Sequence, residues 1–352
     1  MMKGFKRVAL ATVTACSVLS SSSLDAQTRP VVPGAGQRID FATDNLEQSE
    51  GWEFVHNHPK SSKEQDERVR GPRGYSTNHY WVEGPERGQP DLIRVVPTPA
   101  NGLPGSNYSL LIRTKNSGIP GAHSYKVEQD DLVVDSVSKI GVIPVGETPA
   151  VVARIYLPEA DKWEDRSGPH FAFRTQITTT KQTVEGRKGP LRRGRTVTEL
   201  EPYWPGLWIH FNSKTDKQFA EDSATLKVRG NSRGWDFKVR DIPANEFGWW
   251  TFGMSHTPDG AVHFYGKPGV GQLTAADHIS SQFPYSYRAQ KFENMFFNIC
   301  NKDAGQTRST PFVIDDPEVF LSKPERVNSI VKRKQSNMAR QAQNQQQPGT
   351  SR

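Results

Sequence analysis

Five runs of this chain put arginine, histidine, amide and aromatic side chains at every second position. Arg174 and Gln176 alternate with Phe171, Phe173 and Ile177, and His170 falls on their side. Trp208, His210 and Asn212 alternate with Leu207, Ile209 and Phe211. Arg154 and Tyr156 oppose Val151, Ala153, Ile155 and Leu157; His263 and Tyr265 oppose Val262 and Phe264. Asn294 and Asn298 oppose Met295, Phe297 and Ile299. In an extended chain, residues two apart share a face. Each run therefore has one face for a core and a second that is not ordinary solvent surface, which would favour Lys, Glu, Ser and Thr. Planar rings stack on the C–H faces of sugars, while amides and guanidinium groups bind hydroxyls and carboxylates. These second faces are the candidate carbohydrate-binding residues.

The elements that must position them are strands. Runs rich in Val, Ile, Phe, Tyr, Trp and Thr, punctuated by Gly, Pro, Asn and Asp, predict strands near 39–43, 52–56, 92–96, 107–114, 131–135, 149–157, 169–179, 206–213, 223–230, 235–240, 247–256, 261–266, 293–301 and 311–320. Many short strands argue for an all-β sandwich. A short helix is expected near 273–281. Residues 57–75 are charged and loop-like. Residues 181–195, with six basic side chains against Glu185, read as an exposed loop or hairpin tip.

Three segments resemble the concanavalin A-like lectin/glucanase superfamily, over most of residues 38–321. Gly248-Trp-Trp-Thr-Phe-Gly-Met-Ser-His-Thr-Pro-Asp-Gly260 is similar to a strand and turn of secreted β-glucanases. Phe312-Val-Ile-Asp-Asp-Pro-Glu-Val-Phe320 is similar to their closing strand, and Asp40-Phe41 with Gly51-Trp52 to their opening strand. The resemblance implies a jelly-roll sandwich of two antiparallel sheets, one of them concave and ligand-binding. The Glu-x-Asp-x-x-Glu strand of the β-glucanases, whose carboxylates share a face as nucleophile and acid/base, is missing. The nearest acidic strand, Asp130-Asp131-Leu-Val-Val-Asp135, has another spacing.

Jelly-roll alginate lyases resemble this chain at three places in the same order. Their Arg-Ser/Thr-Glu is matched by Arg174-Thr175-Gln176, their Gln-Ile-His by Trp208-Ile209-His210, and their Tyr-Phe-Lys-Ala-Gly-Val-Tyr by Tyr265 to Gly271. The position of their catalytic Tyr is Gly271 here. The resemblance implies His210 as base and Tyr265 as acid or base, with Arg174, Gln176 and Asn298 on a uronate carboxylate. Three function classes follow. The first is an exported, non-catalytic carbohydrate-binding protein. The alternative is a polysaccharide lyase cleaving uronate glycans by β-elimination. The third is a surface protein that contacts polyanions through 181–195 and the tail.

No phosphate loop, dinucleotide fingerprint, zinc-finger spacing or Gly-x-Ser-x-Gly elbow occurs, so no organic cofactor is expected. His56-x-His58 lacks a third metal ligand. Asp40 with Asp315 or Asp316 would flank a structural calcium where the opening and closing strands meet. Trp249-Trp250 alternates faces, one side chain for the core and one partly exposed.

Residues 1–26 read as an export signal: Lys3, Lys6 and Arg7, an apolar stretch from Val8 to Leu19, and a small-residue cut after Ala26. That stretch is too short to span a bilayer. Val13-Thr14-Ala15-Cys16 leaves open a lipid anchor at Cys16. Cys300, in an apolar run, is expected to be buried. Residues 27–37 are then a linker and 322–352 a solvated, disordered basic and Gln-rich tail, with a short helix near 326–334. The charge of +7 divides as +2 in the signal, +6 in the tail and −1 in the body. The basic balance is thus no property of the folded domain, and it argues against a nucleic-acid binder. An acidic polysaccharide remains a fitting partner.

Overall fold

A computed structural model describes residues 29–47, 51–119, 126–185 and 195–346. The signal region with Cys16 and the tip of 181–195 lie outside the described residues. The strands, in chain order, are β1 (Gln37–Arg38), β2 (Phe54–Val55), β3 (Tyr75–Ser76), β4 (Trp81–Glu83), β5 (Leu92–Pro97), β6 (Tyr108–Arg113), β7 (Glu128–Val134), β8 (Ile143–Pro144), β9 (Pro149–Leu157) and β10 (Gly168–Glu185). They continue as β11 (Arg195–Tyr203), β12 (Gly206–Asn212), β13 (Ser223–Arg229), β14 (Asp236–Pro243), β15 (Gly248–His256), β16 (Val262–Pro268), β17 (His278–Gln282), β18 (Lys291–Asn301) and β19 (Phe312–Leu321). Three α-helices are described: α1 (Lys63–Asp66), α2 (Ser136–Ile140) and α3 (Glu325–Gln346).

The strands form an all-β jelly-roll sandwich of two antiparallel sheets. Sheet A runs β17-β16-β15-β9-β19-β6-β5, with β1 beside β19. Sheet B runs β14-β13-β12-β10-β18-β7-β4-β3-β2, with β11 beside β10 and β8 beside β18. Period-2 alternation sends Val151, Ala153, Ile155 and Leu157 of β9 inward against Phe171, Phe173, Leu207, Ile209 and Phe297 of sheet B. Phe297 stacks on Phe173 at 5.3 Å and on Phe171 at 6.1 Å between ring centroids. Full burial of one such ring stabilises the fold by about 1.5–3 kcal/mol.

Three irregularities matter for function. In β10 the pairing with β12 slips between Pro169 and Phe171. In β19 the pairing with β9 slips between Asp315 and Glu318, at Pro317, whose missing N–H suits a bulge. In β17 the pairing with β16 slips between Phe264 and Tyr265. Each slip changes which face a side chain occupies.

Several expectations need correction. The helix expected near 273–281 is a 3-10 turn (Ala275–Asp277) followed by β17. The 27–37 linker belongs to the fold where described: Val32 packs with Tyr265 and Val152, and Ser255 Oγ donates to the Val31 carbonyl at 2.6 Å. In the tail, α3 is longer than expected. Val327 is buried and Val331 packs on the core, while the later turns stay exposed. The loop-like 57–75 holds a fully buried lysine, Lys60, between Asp91 and Asp130, each at 2.8 Å. Trp250 is core, but Trp249 is also covered, donating from Nε1 to Ala100 O at 3.2 Å. No described helix is long and apolar enough to cross a membrane.

Candidate ligand-binding groove

The outward face of sheet B carries a groove built row by row. In one row Arg174 of β10 lies beside Gly206, then Arg229 of β13 and Asp236 of β14 on one side, and Phe296 of β18 on the other. In the next row Ala172 lies between Trp208 and Asn298, and Asn298 stands across from Asp131. His210 follows on β12.

Gly206 is needed here. A Cβ there would sit 2.3 Å from Arg174 Cγ, so its absence lets the arginine stem cross the strand. Arg174 donates from Nε and Nη2 to the Trp204 carbonyl at 3.1 and 2.6 Å. Among the described residues it meets no carboxylate at ion-pair distance, although Asp131 in the same depression favours its charge. Its guanidinium lies 5.4 Å from the Trp208 ring centre and 5.3 Å from that of Phe296. Arg229 covers the Trp208 ring at 4.6 Å and is held by Asp236 at 2.7 and 3.1 Å. Burial, then the neighbouring Arg229, pushes Arg174 down to about 10. Arg174 therefore still carries its charge at neutral pH, inside the protein. Burial also opposes the charge of Arg229, but Asp236 over-compensates and leaves it above its ordinary value.

Three depressions join along this face. The first, about 210 Å³, is lined by Glu86, Arg87, Asp131, Arg174, Tyr285 and Phe296 among others. The second, about 270 Å³, shares Arg87 and Arg229 with it and reaches His210. The third, about 570 Å³, continues from His210 to Asn212 and Lys227. Tyr285 forms a wall from a turn with φ +58°, packed on Gly234, whose Cβ would strike the ring at 2.1 Å. His210 Nε2 is buried without a partner, and burial, then Lys227, pushes the imidazole down to about 4. It is neutral at pH 7.

The structure thus brings together Arg174, Trp208, His210 and Asn298 of the expected residues, with Asn212 at the far end. Trp208 is no open platform, because two guanidinium groups cover it and leave 3% exposed. Asn298 donates to Asp131, and its Oδ1 is buried without a partner. Asn212 donates to Ser223 and Thr225. Gln176 donates to Glu293 at 2.6 Å, and Asn294 accepts from the Val137 backbone N–H at 3.2 Å. These two serve the sheet's end.

Five expected residues lie elsewhere. Arg154, Tyr156, His263 and Tyr265 face outward from sheet A, on the opposite side of the sandwich. His210 and Tyr265 therefore cannot act on one sugar. His170 is turned inward by the β10 slip and is fully buried. It bonds Thr310 Oγ1 at 2.8 Å and the Arg166 carbonyl at 3.0 Å, against Trp163 and Phe211. Cys300 is buried as expected, but beneath Trp208 rather than in the central core.

Of the two calcium alternatives, Asp316 lines one depression with Asp40 and Asp315 does not. Asp40 is exposed and paired with Arg38 at 2.5 Å, while Asp315 is buried. Among the described residues no three His, Cys, Asp or Glu side chains gather as metal ligands.

Sequence reasoning missed Arg87, Asp131, Arg229 and Tyr285. Sorting 223–229 by alternation would have found Arg229, opposite Ala224, Leu226 and Val228. Nothing local announces Tyr285, because its place depends on a turn and a distant glycine.

No family model matches the chain, and no curated protein matches it in sequence. Among solved structures it is similar to a carbohydrate esterase of the Shiga toxin-encoding bacteriophage phi24B, at 12% identity and TM-score 0.37, over 69% of this chain and 90% of that one. It is similar to an alginate lyase of Pseudomonas aeruginosa at 9% identity and TM-score 0.30, over 66% of this chain and 84% of that one. A family 7 alginate lyase overlaps at 10% identity and TM-score 0.33, over 64% and 83%. Overlaps at this level say nothing about activity.

Proposed function

We propose that this chain binds an acidic polysaccharide in the sheet B groove, with a sugar carboxylate at Arg174. The observation that carries this reading is a buried, charged arginine tied to a carbonyl instead of a carboxylate. Asp131 in the same depression favours the Arg174 charge but does not pair with it directly, so the cation keeps much of its burial cost, and an incoming anion relieves that cost. Tyr285, partly exposed, supplies a ring face for sugar C–H groups. The three depressions share Arg87, Arg229 and His210 in turn, an arrangement that suits a polymer.

Within this groove, binding without chemistry is the reading the geometry favours. The phenol assigned to β-elimination, Tyr265, is on the other sheet, and no equivalent phenol lies in hydrogen-bond reach of His210 among the bonds described. Export through the 1–26 signal accords with a glycan ligand. The experiment is calorimetric titration with a polyuronate and with a neutral glucan. The polyuronate should bind and the glucan should not; Arg174→Gln should weaken binding about 10- to 100-fold, the worth of a charged hydrogen bond. Equal binding of both polymers would overturn the reading. Release of unsaturated sugar, followed by its absorbance, would instead support the lyase.

A further inference from the structure

On the opposite sheet, where β16 pairs with the edge strand β17, five side chains make one directed chain of hydrogen bonds. His263 stands across from Ser281. The Asp259 carboxylate only accepts, so the Thr257 hydroxyl donates to it, at 2.6 Å. The Thr257 oxygen then accepts from His263 Nε2 at 2.8 Å, which places the imidazole proton on Nε2. His263 Nδ1 is left as an acceptor, and Ser281 Oγ donates to it at 2.7 Å. Ser281 Oγ accepts in turn from His278 Nε2 at 3.0 Å. One carboxylate thus sets the place of every proton along the chain.

The arrangement depends on the β17 slip. Residues 278 and 281, three apart, would face opposite sides of a regular strand. Pairing passes from Phe264 with Ser280 to Tyr265 with His278, so Ile279 is the extra residue. The slip turns His278 to the side of Ser281, with its ring 5.1 Å from that of Tyr265. His263 and Thr257 are buried, while Ser281 and His278 are partly exposed.

We propose that Ser281 is a nucleophile for acyl transfer from a carboxylic ester, with His263 as its general base. Ser281 Oγ bonds to the ester carbonyl carbon as its proton passes to His263 Nδ1. The ester C–O bond then breaks, and the alcohol leaves with that proton. Water attacks the acyl-serine, gives a proton to His263, and the carboxylic acid departs as that proton returns to Ser281. Thr257, tied to Asp259, holds the imidazole in the required tautomer and is a positioning residue. The His278 N–H lies beside the reacting oxygen. This site shares no residue with the sheet B groove and does not depend on the reading given to it.

The test uses the folded full chain and a fluorophosphonate, which loses fluoride to an activated serine. The label is located by peptide mass spectrometry. Ser281 should be labelled to one equivalent, and Ser281→Ala should abolish that label. Thr257→Val should slow labelling about tenfold or more, a modest share of general-base assistance. Thr257→Ser, which keeps the hydroxyl, should restore the rate. His263→Gln should lose labelling too, and the two threonine variants keep the test decisive if that buried change prevents folding. No label on Ser281 of the folded protein, or equal rates in Thr257→Val and the parent, would overturn the proposal.

Discussion

Arg174 lies over Gly206, and the missing Cβ is what lets its guanidinium reach the Trp204 carbonyl. The groove's charge is therefore placed by a glycine on the neighbouring strand. Gly206→Ala should push Arg174 off that carbonyl and destabilise the fold by about 1–3 kcal/mol, as other overpacked sites do. Urea unfolding measures the second effect, and polyuronate titration should show weaker binding. A variant with parental affinity would show that Arg174 reaches its place without this gap.

Lys60 should behave as a core residue despite its charge. It donates to Asp130 and to the Asn116 carbonyl at 2.8 and 2.7 Å, with Asp91 at 2.8 Å. Lys60→Met leaves the buried Asp130 with its bonds from Thr114 and Gly118 but without its cation, and should cost about 3–5 kcal/mol. Chemical denaturation reads this directly, and a loss under 1 kcal/mol would contradict the account.

Asp315 gives stability a pH dependence of known sign. Its carboxylate is fully buried, and that burial pushes the group up to about 7. The native state then holds a proton that the unfolded chain releases near 4. This contribution is complete below about pH 4 and is lost as pH rises through 7. Asp315→Asn should therefore raise the melting temperature over the parent at pH 8, with a gap that narrows toward pH 5. A gap that widens on acidification would contradict the assignment.

The β10–β11 ribbon should be dispensable for folding. β10 pairs with β18 only as far as Thr178, and beyond that only with β11. Replacing residues 181–199 by a short Gly-rich turn should leave the melting temperature within a few degrees. If the basic side chains of this segment add long-range attraction, the same deletion will flatten the salt dependence of polyuronate binding.

Most of the strands were legible because apolar residues at every second position have one physical cause, a buried face. β9, β15 and β18 sit where alternation puts them. The site was only half legible, because alternation separates inside from outside but does not say which sheet. Arg154 and Tyr265 look like Arg174 and His210 in sequence, yet they emerge from the other side of the sandwich. His170 was misread because a one-residue slip reverses a face without altering the pattern around it. Tyr285 and Asp131 enter the groove through a turn and a distant strand pairing. The Ser281 chain was hidden for the same reason as His170, since its register depends on the slip at Ile279.

The most direct test of the groove is a comparison of one polymer in two forms. A polyuronate and its carboxyl-reduced counterpart share linkage and length but differ in charge at each reduced residue. Calorimetry with the parent chain should show binding to the polyuronate and a loss of about tenfold or more on reduction, with Arg174→Gln weak toward both. Equal affinity for the two forms, or an Arg174→Gln variant that still prefers the charged one, would contradict the account.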